Sequence, residues 1–155
     1  MNSAVIERDY SGTFVGSSFM YATARDWAKF GLLYLRGGLW NGRRMLPEGW
    51  VDMTASPAPH APGEAYGAGF WLKLPEEYTD PEGGGARLPP DAFHAVGHEG
   101  QFVTIIPSSD LVIVRLGLTR LPHAWPHDRF VGKVLGAVKT GPEQNRASRR
   151  QAAAE

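Results

Sequence analysis

The stretch from Phe93 to Gly117 constrains the fold more than any other part of the chain. It runs Phe93-His94-Ala95-Val96-Gly97-His98-Glu99-Gly100-Gln101-Phe102-Val103-Thr104-Ile105-Ile106-Pro107, passes Ser108-Ser109-Asp110, and resumes as Leu111-Val112-Ile113-Val114-Arg115-Leu116-Gly117. Two β-rich runs either side of a polar turn predict an antiparallel hairpin. The second run is almost wholly apolar, the pattern of a strand covered on both faces. The first carries a polar cluster, Gly97-His98-Glu99-Gly100-Gln101, at the mouth of a strand bound for the interior. Charged groups are costly to bury, so a cluster there points to function before packing.

The rest of the chain has the size and balance of one domain. Its 155 residues are enough to bury a core, and 43% apolar with 21% charged residues is an ordinary globular composition. A formal net charge of zero gives the whole molecule no attraction for nucleic acid or anionic lipid. The absence of cysteine excludes disulfides and thiol catalysis and leaves the redox compartment open. Met1-Asn2-Ser3-Ala4-Val5-Ile6-Glu7-Arg8 has neither the basic nor the apolar region of a signal peptide. No apolar run approaches the roughly 18 residues of a membrane span. Taken as given, the sequence is that of a soluble, cytoplasmic chain.

Local signals then place the elements. Thr23 is an N-cap with Asp26 as its capping-box partner, and Trp27, Phe30, Gly31 and Tyr34 form one face of a helix ended by Gly37-Gly38. Asn41-Gly42 predicts a type I′ hairpin from Leu39 to Leu46. Pro47 is placed as the first residue of a short helix through Glu48, Trp50, Val51 and Met53. Residues 55–64 are a proline-marked loop. Tyr66-Gly67-Ala68-Gly69-Phe70-Trp71-Leu72 alternates bulky and small residues, predicting a strand whose glycines admit another backbone or a ligand. Pro75 to Pro90, with Gly83-Gly84-Gly85 inside, is a flexible excursion that serves as a lid or as slack. A last helix starts near His127-Asp128 and buries Phe130, Val131, Val134, Leu135 and Val138, with Gly132 and Gly136 allowing close packing on the sheet. From Gly141 the tail is polar and disordered.

Several chemistries fail on spacing. His94 and His98 lie in a strand-like run, where four residues span about 13 Å, too far for one zinc with bonds of about 2 Å. His98-Glu99-Gly100-Gln101-Phe102 does not complete His-Glu-x-x-His. Gly16-Ser17-Ser18-Phe19-Met20 lacks the closing glycine of a nucleophile elbow, and a triad of Ser18, His98 and Asp91 has no pattern behind it. Gly83-Gly84-Gly85 leads to Ala86-Arg87-Leu88-Pro89, not to the helix start of a phosphate loop. No metal or cofactor is called for.

What remains is His98-Glu99-Gly100-Gln101. His98 can stabilise charge developing on a substrate, and Gly100 removes a side chain that would block a bound acyl group. The Gln101 N–H can face an oxyanion if the strand is an open edge. The alternative is structural: His98 caps a strand and Glu99 is solvated.

Longer stretches carry a resemblance. Gly16-Ser17-Ser18-Phe19-Met20-Tyr21-Ala22-Thr23-Ala24-Arg25-Asp26-Trp27-Ala28-Lys29-Phe30-Gly31, then Leu39-Trp40-Asn41-Gly42-Arg43-Arg44-Met45-Leu46-Pro47-Glu48-Gly49-Trp50-Val51, then Tyr66-Gly67-Ala68-Gly69-Phe70-Trp71 occur in that order. They resemble serine hydrolases of the class C β-lactamase superfamily, and within it the branch of 6-aminohexanoate-dimer hydrolases and esterases. Gly97-His98-Glu99-Gly100-Gln101 resembles the third motif of that family, Lys-Thr-Gly in β-lactamases and often His-x-Gly in their esterase and amidase relatives. The resemblance covers most of Val5 to Val138.

The resemblance implies a partial β-lactamase/transpeptidase-like fold of α/β (α+β) class, an antiparallel sheet of three to five strands packed by helices. Residues 1–140 would form the C-terminal part of a serine hydrolase domain and 141–155 the tail. It implies that His98 stands in for the third-motif lysine, with Gly100 and the Gln101 N–H lining the oxyanion site and Glu99 in an undefined role. The other two motifs of the family, Ser-x-x-Lys and Tyr-x-Asn, do not occur in this chain. The chain would then be a C-terminal fragment starting at an internal methionine, inert alone, acting on an ester, amide or β-lactam once completed. It would expose a sheet edge through which it self-associates or meets the missing half. The alternative is a non-catalytic remnant or small binding module.

Overall fold

The computed structural model describes residues 1–119 and 125–138. In chain order it contains strands β1 (Val5–Ile6) and β2 (Met20–Tyr21), helix α1 (Ala24–Leu35), strands β3 (Leu39–Trp40) and β4 (Arg43–Arg44), and helix α2 (Trp50–Thr54). Strands β5 (Phe93–Gly97), β6 (Gln101–Ile106) and β7 (Leu111–Arg115) follow, then a helix α3 over residues 127–138. The fold mixes helices with small antiparallel sheets. Two units make it up: Met1–Pro75 with Pro89–Ala124, and Glu76–Leu88 with Trp125–Glu155.

The first unit is built on the sheet β5-β6-β7. The run from Phe93 to Pro107 is two strands, not the single strand that its β-rich composition suggested. Glu99 (φ 54°) and Gly100 (φ 77°) are both left-handed, so the chain reverses over residues 98–100 and Gly97 faces Gln101. The Ser108-Ser109-Asp110 turn forms where predicted, with Asp110 left-handed at φ 48° and Leu111 opposite Ile106. A further correction follows. The strand buried on both faces is β6, the central one, whose residues Phe102 to Ile106 are all buried, whereas β7 is half-buried at the edge of the three.

Helix α1 covers one face of this sheet. Its predicted stripe is observed: Trp27, Phe30 and Tyr34 pack on a core of Phe70, Phe93, Val103 and Ile105. Phe70 stacks on Phe30 (ring centroids 6.2 Å) and meets Phe93 edge to face (5.2 Å). Gly31 lets the helix approach closely, since a Cβ there would lie 2.5 Å from the Val112 Cγ1. Thr23 caps the helix through the Asp26 N–H (3.4 Å). Asp26, however, does not close a capping box. Its carboxylate instead accepts from the Ser3 N–H (2.8 Å) and hydroxyl (2.7 Å) and pairs with Lys29 (2.6 Å), tying the N-terminal segment to the helix.

Two smaller expectations change. Gly49 sits at φ 74°, so Pro47 lies in a turn and α2 begins only at Trp50. Residues 66–72 form no continuous strand; single bridges join Tyr66 to Trp71 and Trp71 to His94. The glycines explain this. A Cβ on Gly67 would meet the Thr54 carbonyl oxygen at 2.2 Å, and Gly69 takes φ 92°. The Asn41-Gly42 hairpin is as predicted.

In the second unit residues 76–88, the middle of the 75–90 excursion, are held against α3. Asp128 accepts from the Asp80 N–H (3.1 Å), and Gly85 lies where any Cβ would meet the Asp128 carboxylate. A Cβ on Gly132 would come 2.2 Å from that of Ala86, while Gly136 faces open space. The buried line of α3 is His127, Val131 and Leu135; Phe130 and Val134 are half-buried and Val138 is exposed. The loop residues Pro122 and His123 and the tail from Gly141 lie outside the described residues. No helix among those described is long and apolar enough to cross a membrane.

Candidate functional site

The turn at residues 98–100 places the four predicted site residues together. His98 leads it with its side chain 86% exposed, its Nε2 3.7 Å from a carboxylate oxygen of Glu99. Glu99 is largely covered and holds a left-handed backbone that costs a non-glycine residue about 1–2 kcal/mol. Gly100 is buried. The Gln101 side chain turns back on the loop, donating to the His98 carbonyl (3.2 Å).

The backbone geometry decides which amides can meet a ligand. His94 uses both its N–H and its C=O on Trp71, each at 2.8 Å. Hydrogen-bonding directions alternate along an antiparallel strand, so Phe93, Ala95 and Gly97 point at β6, and His94 and Val96 point away from it. Gln101, opposite Gly97, therefore directs its N–H into the hairpin. The open edge of the site is β5. Past Trp71 that edge has no further pairing among the described residues, which leaves the Val96 N–H and C=O facing outward; His98 lies beyond the strand, in the turn.

A cleft of about 310 Å³ opens along this edge, lined by Gly16, Ser17, Tyr66, Gly69, Trp71, Ala95 and Val96. Tyr66 and Trp71 meet edge to face, ring centroids 5.0 Å apart, and make its aromatic wall. Ser17 reaches the cleft; Ser18 does not line it. Asp91 is remote from His98, at the other end of β5, where its carboxylate accepts from the Ser108 N–H (2.6 Å) and hydroxyl (2.8 Å). Ser18, His98 and Asp91 are thus not brought together as a triad.

His94 is not among the residues that line the cleft. It is buried opposite Thr104, Nδ1 to Oγ1 2.9 Å, and burial pushes its pKa down to about 4. The described residues contain no cluster of three potential metal ligands among His, Asp and Glu. The sequence reading missed Val96, Trp71 and Tyr66 because their importance depends on strand direction. The available signal was the pair Gly97 and Gly100, glycines inside the supposed strand.

Comparison with known proteins places this geometry in a fold. No family model matches the chain. It is 32% identical over 98 residues to an uncharacterized protein of Alkalihalophilus pseudofirmus, a match covering 62% of this chain and 29% of that protein. The crystal structure of a “putative beta-lactamase” from Bacteroides dorei DSM 17855 superposes with a TM-score of 0.52 at 17% identity, over 81% of this chain and 42% of that one. The fold is therefore β-lactamase-like, and the chain spans less than half the length of either protein.

Proposed function

We propose that the chain supplies one wall of the acyl-transfer site of a β-lactamase-related serine hydrolase, acting on an ester, amide or β-lactam. One observation carries this reading: the β5 edge at Val96, unpaired among the described residues, opens onto an aromatic-walled cleft two residues before the His98 turn, which does not itself line it. In the proposed reaction a serine of the Ser-x-x-Lys motif, carried by the rest of the fold, attacks the substrate carbonyl. The outward N–H of Val96 holds the oxyanion, the role first expected of Gln101, and its contribution is largest as charge develops. The acyl–serine bond forms as the bond to the leaving alcohol or amine breaks, and that group takes the serine proton. Water then cleaves the acyl-enzyme. The exposed His98 ring adds charge stabilisation at the rim, and Gly100 keeps the turn narrow.

The resemblance to 6-aminohexanoate-dimer hydrolases supports a linear secondary amide as the substrate form. A fluorophosphonate probe tests the division of labour. The chain alone is expected to stay unlabelled, since its serines lack a lysine three residues on. Stoichiometric labelling at Ser17, the serine that reaches the cleft, would place the nucleophile here and contradict the reading.

A further inference from the structure

The His98 turn is held from below by an arginine that the sequence presents only as the polar end of an apolar strand. Arg115 closes β7 opposite Phe102. Its Nη1 donates to the Gly100 carbonyl and to the Gly117 carbonyl (3.3 Å), and its Nη2 donates to the Thr119 hydroxyl (2.6 Å). The Thr119 N–H in turn donates to the Glu99 carbonyl (2.8 Å). Both left-handed residues of the turn thus have their carbonyls fixed by residues 115–119. Gly117 makes room for this, because a Cβ there would sit 3.3 Å from the guanidinium carbon.

We propose that Arg115 is a positioning residue: its planar fork, bridging Gly100, Gly117 and Thr119, locks the His98–Gly100 turn in the conformation that presents the β5 edge. Its relevance to catalysis rests on the function proposed above; the lock itself does not. A guanidinium can serve three acceptors in one plane, and a lysine ammonium cannot reproduce that fork. The requirement is therefore for shape as well as charge.

Amide hydrogen exchange on Arg115→Lys, Arg115→Gln and Gly117→Ala tests this. The reporters are the Thr119 and Gln101 amides, with Val103 and Ile105 as core controls. At least tenfold faster exchange at Thr119 and Gln101 in all three variants, the controls unchanged, is the expected result. Wild-type exchange in Arg115→Lys would show that charge alone suffices and overturn the proposal, as would equal acceleration of reporters and controls. Gly117→Ala keeps the arginine, so the question survives if an Arg115 variant fails to fold. A titration of the same proteins with N-acetyl-6-aminohexanoate separates the two ideas. Loss of Val96 shifts in the variants links lock to site, whereas wild-type protein without such shifts counts against the site and leaves the exchange result standing.

Discussion

His94 and Thr104 face each other across β5 and β6, shut off from water. Unfolded, the imidazole takes its ordinary pKa of 6.5; folded, burial lowers it to about 4. Between those values the unfolded chain binds a proton that the native chain does not. Stability is therefore full above about pH 6.5 and declines as the pH falls towards 4, by about 3 kcal/mol at the limit. Urea midpoints at pH 7.5 and 4.5 should show this decline in the wild type and much less of it in His94→Gln; equal losses would exclude His94 as the cause. Asp26 acts at the same scale. Lys29 and the Ser3 contacts hold its carboxyl well below the usual range, so Asp26→Ala should speed exchange of the Ser3 amide while α1 stays helical by circular dichroism.

Two helical glycines make opposite predictions. Gly31→Ala would drive a methyl into Val112, separating α1 from β7 and costing about 1–3 kcal/mol by overpacking. Gly136→Ala meets open space on α3 and should gain about 0.5–1 kcal/mol of helix propensity. Thermal melts distinguish them by sign. Elements with a local cause were legible in the sequence: the Thr23 cap, the α1 stripe, the Asn41-Gly42 turn and the reversal at Asp110. Those whose cause is tertiary were not. The 66–72 segment is broken because Gly67 must pass the Thr54 carbonyl, and β6 rather than β7 is central because a turn at Glu99-Gly100 inserts a strand before it. The candidate site was half legible for the same reason. The His98 cluster stands out by composition, but the edge it lies on follows from Trp71 pairing with His94, a contact between residues distant in sequence.

At the scale of the whole molecule, the ribbon of β1 and β2 leaves Val5, Ile6, Phe14, Phe19 and Tyr21 exposed, a concentration of apolar surface that marks interaction sites. With no net charge to keep copies apart, we expect concentration-dependent association in light scattering, reduced by the double change Val5→Ser and Tyr21→Ser; a monodisperse monomer at all concentrations would contradict it. Ligands of this protein are expected to bind along β5, against the Tyr66–Trp71 wall. The deciding measurement is a titration of the ¹⁵N-labelled protein with millimolar N-acetyl-6-aminohexanoate. Saturable shifts confined to the Val96 and His98 amides and the Trp71 indole N–H are the expected result; an unperturbed β5 edge, with shifts elsewhere or none, would rule the site out.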